Sequence, residues 1–193
     1  MTPPPDFQLS LPPEPGETYA IVHAYPTGHV EPRLLEWLQR GPPAADWDSV
    51  AVMNVKGIDV SYNRGVRRAL ATGRRHLVFA DHDVIPTAAT DRHAGTDEFW
   101  GSCQADVVCC PCRLDIEGVW GDPAAWHAAL WRTTADVLAA IPPPWFAETL
   151  TDDGTARDGC LCSYFARKAR AAGFVVARQG WADHPVKSRG PRP

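Results

Sequence analysis

Apolar positions along this chain fall into short runs broken by proline and glycine, with helical-period stretches between them. Tyr19 to Ala24 (Tyr-Ala-Ile-Val-His-Ala) is the first run, a strand with apolar residues on both faces. It stops at Pro26-Thr27-Gly28, a turn signal. Leu34, Leu35 and Leu38 then repeat with helical spacing after Glu31-Pro32, and Gly41-Pro42-Pro43 ends that segment. Ser49 to Asn54 reads as the second strand, and Tyr62 to Ala71 as a helix capped by Ser61 and closed by Gly73. Leu77 to Ala80 is the third strand. Further on, Ala105 to Cys110 reads as a strand, Thr134 to Ile141 as a short helix, Asp158 to Ala172 as a longer helix ended by Gly173, and Phe174 to Ala177 as a last strand. Strands alternating with helices predict an α/β fold with a mostly parallel central sheet flanked by helices, irregular around residues 86–104.

Composition narrows the class without changing that picture. Residues 1–17 are rich in proline (Pro3, Pro4, Pro5, Pro12, Pro13, Pro15) and read as an extended leader; residues 18–185 form one domain, and 186–193 a basic tail with Lys187, Arg189 and Arg192. No apolar run reaches the roughly 20 residues that span a bilayer. The start of the chain lacks the basic-then-apolar order of an export signal, so the expected location is the cytoplasm, or a host cytoplasm. The net charge of −4 gives no basic excess for gripping phosphates, which argues against a nucleic-acid partner.

Six cysteines are present, at 103, 109, 110, 112, 160 and 162. Cys109, Cys110 and Cys112 lie in an apolar run and read as small core hydrophobes. The alternative is a zinc module built from Cys109, Cys112, Cys160 and Cys162, although their spacing matches no paired C-x-x-C ligand set. Eight tryptophans offer faces for bases or sugars. Trp100, Trp120 and Trp181 sit in polar surroundings and suit substrate contact; Trp37 is expected to pack, and Trp145 suits either role.

The segment with most chemical content is Leu77-Val78-Phe79-Ala80-Asp81-His82-Asp83. A buried apolar strand runs directly into two carboxylates one residue apart. Open α/β sheets bind ligands beyond the carboxyl ends of their strands. Two acids at that edge repel each other unless a cation lies between them, and a hard divalent ion bound to a diphosphate answers that need. The plainer reading is a capped turn at Asp81 and a solvated Asp83.

Asp81-His82-Asp83 at a strand end resembles the DxD motif of GT-A glycosyltransferases. Tyr62-Asn63-Arg64-Gly65-Val66 resembles the helix that approaches the nucleotide in that family, and Ile141-Pro142-Pro143-Pro144-Trp145-Phe146 a late stretch of its small bacterial and phage-type members. Asp152-Asp153-Gly154, Asp158 to Phe165, Ala171-Ala172-Gly173-Phe174 and Asp183-His184 follow in family order, so the likeness covers about residues 19–185. The resemblance implies a GT-A-like fold of the nucleotide-diphospho-sugar transferase type. It also implies transfer of a sugar from a nucleoside-diphosphate donor to a hydroxyl on a glycan, protein or other acceptor, with Mn2+ or Mg2+ as cofactor. Asp83 and His184 would hold the metal with Asp81 assisting. Tyr25, Asn63, Arg64, Asp81 and Trp120 would contact the nucleotide or sugar. Asp158 would be the general base, or else the cap of the helix it begins. The acidic pair usual at that helix is reduced here to Arg157-Asp158. That departure favours the rival reading, an inactive relative using the fold for binding or assembly.

Overall fold

The computed structural model describes residues 16–24, 29–41, 43–52, 57–87, 90, 105–110, 129–150, 152–153, 155, 157–180 and 182–183, with residues 157–159 described for the backbone alone. These residues hold a six-stranded, largely parallel sheet and four helices. The sheet order is β2 (Asp46–Ala51), β1 (Thr18–Ala24), β3 (His76–Asp81), β6 (Leu130–Thr134), β5 (Val107–Cys109), β9 (Val176–Arg178). β6 runs against both its neighbours, and the other pairings are parallel. Two small pairs stand apart: β4 (Ile85–Pro86) with β10 (Ala182–Asp183), and β7 (Thr149–Leu150) with β8 (Arg157–Gly159).

The continuous apolar runs of β1 and β3 arise because both faces of the sheet are covered. On one face α1 (Pro32–Arg40) buries Leu34, Trp37 and Leu38 against Ala20, Val22, Val78, Ala80 and Val84. On the other, α2 (Ile58–Ala71), α3 (Ala135–Ala140) and α4 (Leu161–Ala171) bury Tyr62, Val66, Leu138, Phe165 and Ala169 against Ile21, Leu77, Phe79 and Trp131. α2 lies so close to β1 that a Cβ on Gly65 would sit 2.7 Å from His23 Cε1 and 3.1 Å from Ile21 Cγ2. Glycine is what lets helix and strand meet there.

Several boundaries differ from the sequence reading, each for a local reason. β2 starts at Asp46 rather than Ser49, because Tyr19 of β1 takes Asp46 as its parallel partner. α2 starts at Ile58, so Ser61 is not its cap; the Ser61 hydroxyl bonds back to the carbonyls of Gly57 and Ala51 from inside the helix. α4 starts at Leu161, not Asp158: Arg157 and Gly159 pair with β7, and Cys160 takes the cap. β6 was not anticipated. The predicted leader and tail lie outside the described residues except for Gly16 and Glu17, and Glu17 already belongs to the fold, its carbonyl accepting from His76 N at 3.1 Å. Among the described residues no helix is long and apolar enough to cross a membrane.

Candidate functional site

The chain leaves β1, forms α1 on one face and adds β2 on one side of β1; it then forms α2 on the opposite face and adds β3 on the other side of β1. The carboxyl ends of β1 and β3 therefore lie where connections part to the two sides, the position at which α/β sheets bind ligands. Asp81 is the last residue of β3 and stands beside His23 of β1 in the register. The turn that follows is tied on three sides: His82 N donates to His23 O at 3.0 Å, Glu31 N donates to His82 O at 2.8 Å, and Asp81 N donates to Ala129 O at 2.7 Å. The acidic turn is thus bolted to β1, to the start of α1 and to the approach to β6.

Tyr62 on α2 reaches this edge from the core. Its ring stacks flat on His23 (centroids 3.9 Å apart, planes 2° apart), and its hydroxyl donates to Asp81 Oδ1. Burial holds the Tyr62 hydroxyl well above its ordinary pKa, and the neighbouring Asp81, Cys162 and Asp83 push in the same direction. Both carboxylates of the motif and Cys162 of α4 therefore bear electrostatically on one buried phenol. One Asp81 oxygen is engaged by that phenol. His23 beneath it is fully buried, and burial lowers its pKa from 6.5 to about 3, so the ring stays neutral in the folded chain. His82 Nδ1 lies 3.8 Å from Asp83 Oδ1. Asn63, Arg64 and Tyr25, not the neighbouring Tyr62 and His23, are the contacts the resemblance implies; a histidine near the end of an apolar strand and a tyrosine on the apolar face of a helix look like ordinary core.

The other predicted residues divide. Asn63 is committed to the fold. Its Nδ2 donates to Asp59 O (2.7 Å) and Phe146 O (2.6 Å), and its Oδ1 accepts from Trp145 N (2.8 Å) and Phe146 N (3.2 Å). Those four bonds use its whole capacity, so it has nothing left for a nucleotide. Asn63→Ala strips partners from three backbone groups of the Trp145-Phe146 segment and should cost roughly 2–4 kcal/mol, read by urea unfolding. A loss below about 0.5 kcal/mol would show that water or another side chain replaces it.

Arg64 is exposed and two positions from Tyr62, hence on the far side of α2 from Asp81. It lines a separate cleft of about 500 Å3 with Arg67, Pro143, Pro144 and Trp145. Trp145 is buried and its indole N–H donates to Leu138 O at 3.0 Å, so it packs; Trp37 packs as expected.

Asp158 lies on β8, two residues before the cap of α4, and its side chain is outside the described set, as are Tyr25, Trp100, Trp120, Trp181 and His184. β10 nevertheless brings the chain, at Asp183, opposite Ile85, two residues beyond Asp83. The metal ligand set is thus described for Asp81 and Asp83 alone, and no group of three His, Cys, Asp or Glu side chains gathers as a ligand set among the described residues. Of the cysteines of the zinc alternative, Cys112 lies outside the described residues, Cys109 is fully buried in the core and Cys160 is exposed at the start of α4. Comparison with known proteins gives no match, either to a family model or to a curated protein.

Proposed function

We propose that the chain is a metal-dependent glycosyltransferase of GT-A type that moves a sugar from a nucleoside-diphosphate donor to an acceptor hydroxyl. The observation that carries this reading is the position of Asp81. It ends β3 at the point where the sheet connections part, its carboxylate is held by Tyr62, and Asp83 stands in the turn that follows. Carboxylate oxygens are the donor type that Mn2+ and Mg2+ prefer. Bound between them, the ion would offset charge on the departing diphosphate. Tyr62 fixes the Asp81 carboxylate by one oxygen. Asp83 supplies the second carboxylate, and His184, one residue past Asp183, the third ligand. Asp158, close in sequence to the start of α4, would accept the proton of the acceptor hydroxyl. The donor's contacts would come from Tyr25 and Trp120 rather than from Asn63 or Arg64, whose bonds and position serve other parts of the fold.

A thermal-shift series with uridine and guanosine diphosphates and their sugar conjugates, with and without manganese, tests this. A ligand at a hundred times its Kd adds about 2.7 kcal/mol, which in a chain of this size raises Tm by about 5–10 °C. The rise should need manganese. A flat series would overturn the reading. The rival, an inactive relative, draws on the acidic pair reduced to Arg157-Asp158 before α4, whose cap is itself a cysteine and not an acid. Manganese-dependent hydrolysis of a sugar nucleotide would exclude it.

A further inference from the structure

Cys160-Leu161-Cys162 opens α4 in a way that core cysteines do not. The cap of a helix is ordinarily an oxygen of Ser, Thr, Asp or Asn. Here it is the Cys160 sulfur, which accepts from Ser163 N at 3.4 Å and lies 3.2 Å from Ser163 Oγ. Cys162, two residues on, favours the ionised form of the same sulfur through its side chain and backbone. A neutral thiol is a weak acceptor. Donors converging on one sulfur at the positive end of an eleven-residue helix are an arrangement for a thiolate. The pKa follows: the bond from Cys162 leads, burial opposes it, the bonds from Ser163 add, and the thiol falls from 9.0 to about 4. Cys160 is exposed, Cys162 half-buried behind it, and neither is in a disulfide. By contrast Cys109 and Cys110 are fully buried.

We propose that Cys160 is a reactive nucleophile toward hydroperoxides and that Cys162 is its resolving thiol, the pair closing to a disulfide at the start of α4. The Cys160 sulfur attacks the terminal peroxide oxygen; an S–O bond forms, the O–O bond breaks, and the alkoxide or hydroxide leaves and is protonated. The Cys162 sulfur then attacks the sulfenic sulfur; the S–S bond forms, the S–O bond breaks, and the hydroxyl leaves as water with the Cys162 proton. Two thiols are oxidised by two electrons, and the peroxide supplies the oxidising equivalents. None of this depends on the glycosyltransferase reading.

The test uses the full chain treated with hydrogen peroxide and digested with trypsin, which places both cysteines in the peptide Asp158–Arg167. That peptide should lose two hydrogens in wild type. In Cys162→Ser the reaction should stop at a sulfenic acid on Cys160, trapped by dimedone. In Cys160→Ser the remaining Cys162 should stay reduced. Iodoacetamide gives an independent readout. Near pH 5 the greater thiolate fraction outweighs its lower intrinsic nucleophilicity, so Cys160 should alkylate about thirtyfold faster than the same synthetic peptide, at a rate nearly flat to about pH 8. A rate equal to that of the peptide, or dimedone labelling of Cys162 in Cys160→Ser, would overturn the proposal.

Discussion

Asp83→Ala protein gains no stability from a nucleoside diphosphate and manganese under conditions where the wild type gains about 5–10 °C in Tm. The side chain is half-buried, in the turn that Val84 N closes on Asp81 O at 3.2 Å. It fills no part of the core clusters. Its removal should therefore leave the ligand-free protein within about 0.5 kcal/mol of wild type, which separates lost binding from lost folding. The loss of binding is large because Asp81 cannot take over: one of its oxygens is already engaged by the Tyr62 hydroxyl. With one carboxylate in place of two, this edge of the sheet no longer offsets a divalent charge. Equal stabilisation of wild type and variant would remove Asp83 from any metal site. A fall in the ligand-free Tm of more than about 3 °C would point instead to a structural role for its contact with His82.

The strands on which this site rests were legible because they are buried on both sides. Tyr19 to Ala24 and Leu77 to Ala80 carry apolar residues without alternation, which is what two covered faces demand, and the structure extends each by one or two residues. Legibility failed where a polar side chain works against type. Ser61 looked like a cap, but as an interior residue it bonds carbonyls, and nothing in its neighbours distinguishes the two uses. Asn63 looked like a ligand-binding residue because its segment resembles the helix that approaches the nucleotide in GT-A enzymes; only the long-range approach of the Trp145-Phe146 segment shows its bonds to be spent. Asp158 looked like the start of a helix until the pairing of β8 with β7 handed that place to Cys160. β6 escaped notice because Leu130 to Thr134 runs straight into α3 with no glycine or proline between them; Thr134 both ends the strand and caps the helix.

That overlooked strand carries the largest stability effect expected. Trp131→Ala should cost about 3–5 kcal/mol, a large share of the roughly 5–15 kcal/mol that holds a domain together. Trp131 is fully buried on β6. It stacks on Phe79 of β3 (4.2 Å, planes 11° apart) and lies 5.1 Å from Phe165 of α4 and 5.7 Å from Phe146. Alanine leaves a cavity that these three rings cannot close without moving the strands and helix that carry them. Urea unfolding measures the cost, and Val175→Ala, at a residue 58% exposed, serves as the control that should stay within about 0.5 kcal/mol of wild type. A Trp131→Ala loss below about 1 kcal/mol would mean that these rings do not form the core in solution. The effect should also reach the acidic turn. Phe146 meets Tyr62 edge-on at 5.1 Å, and Tyr62 holds Asp81, so the rings form a continuous stack from the centre of the sheet to the acidic turn. A vacancy at Trp131 frees Phe146, loosens Tyr62 and releases the Asp81 carboxylate. Metal-dependent stabilisation should therefore weaken in Trp131→Ala even at temperatures where the variant remains folded, whereas Val175→Ala should retain it in full.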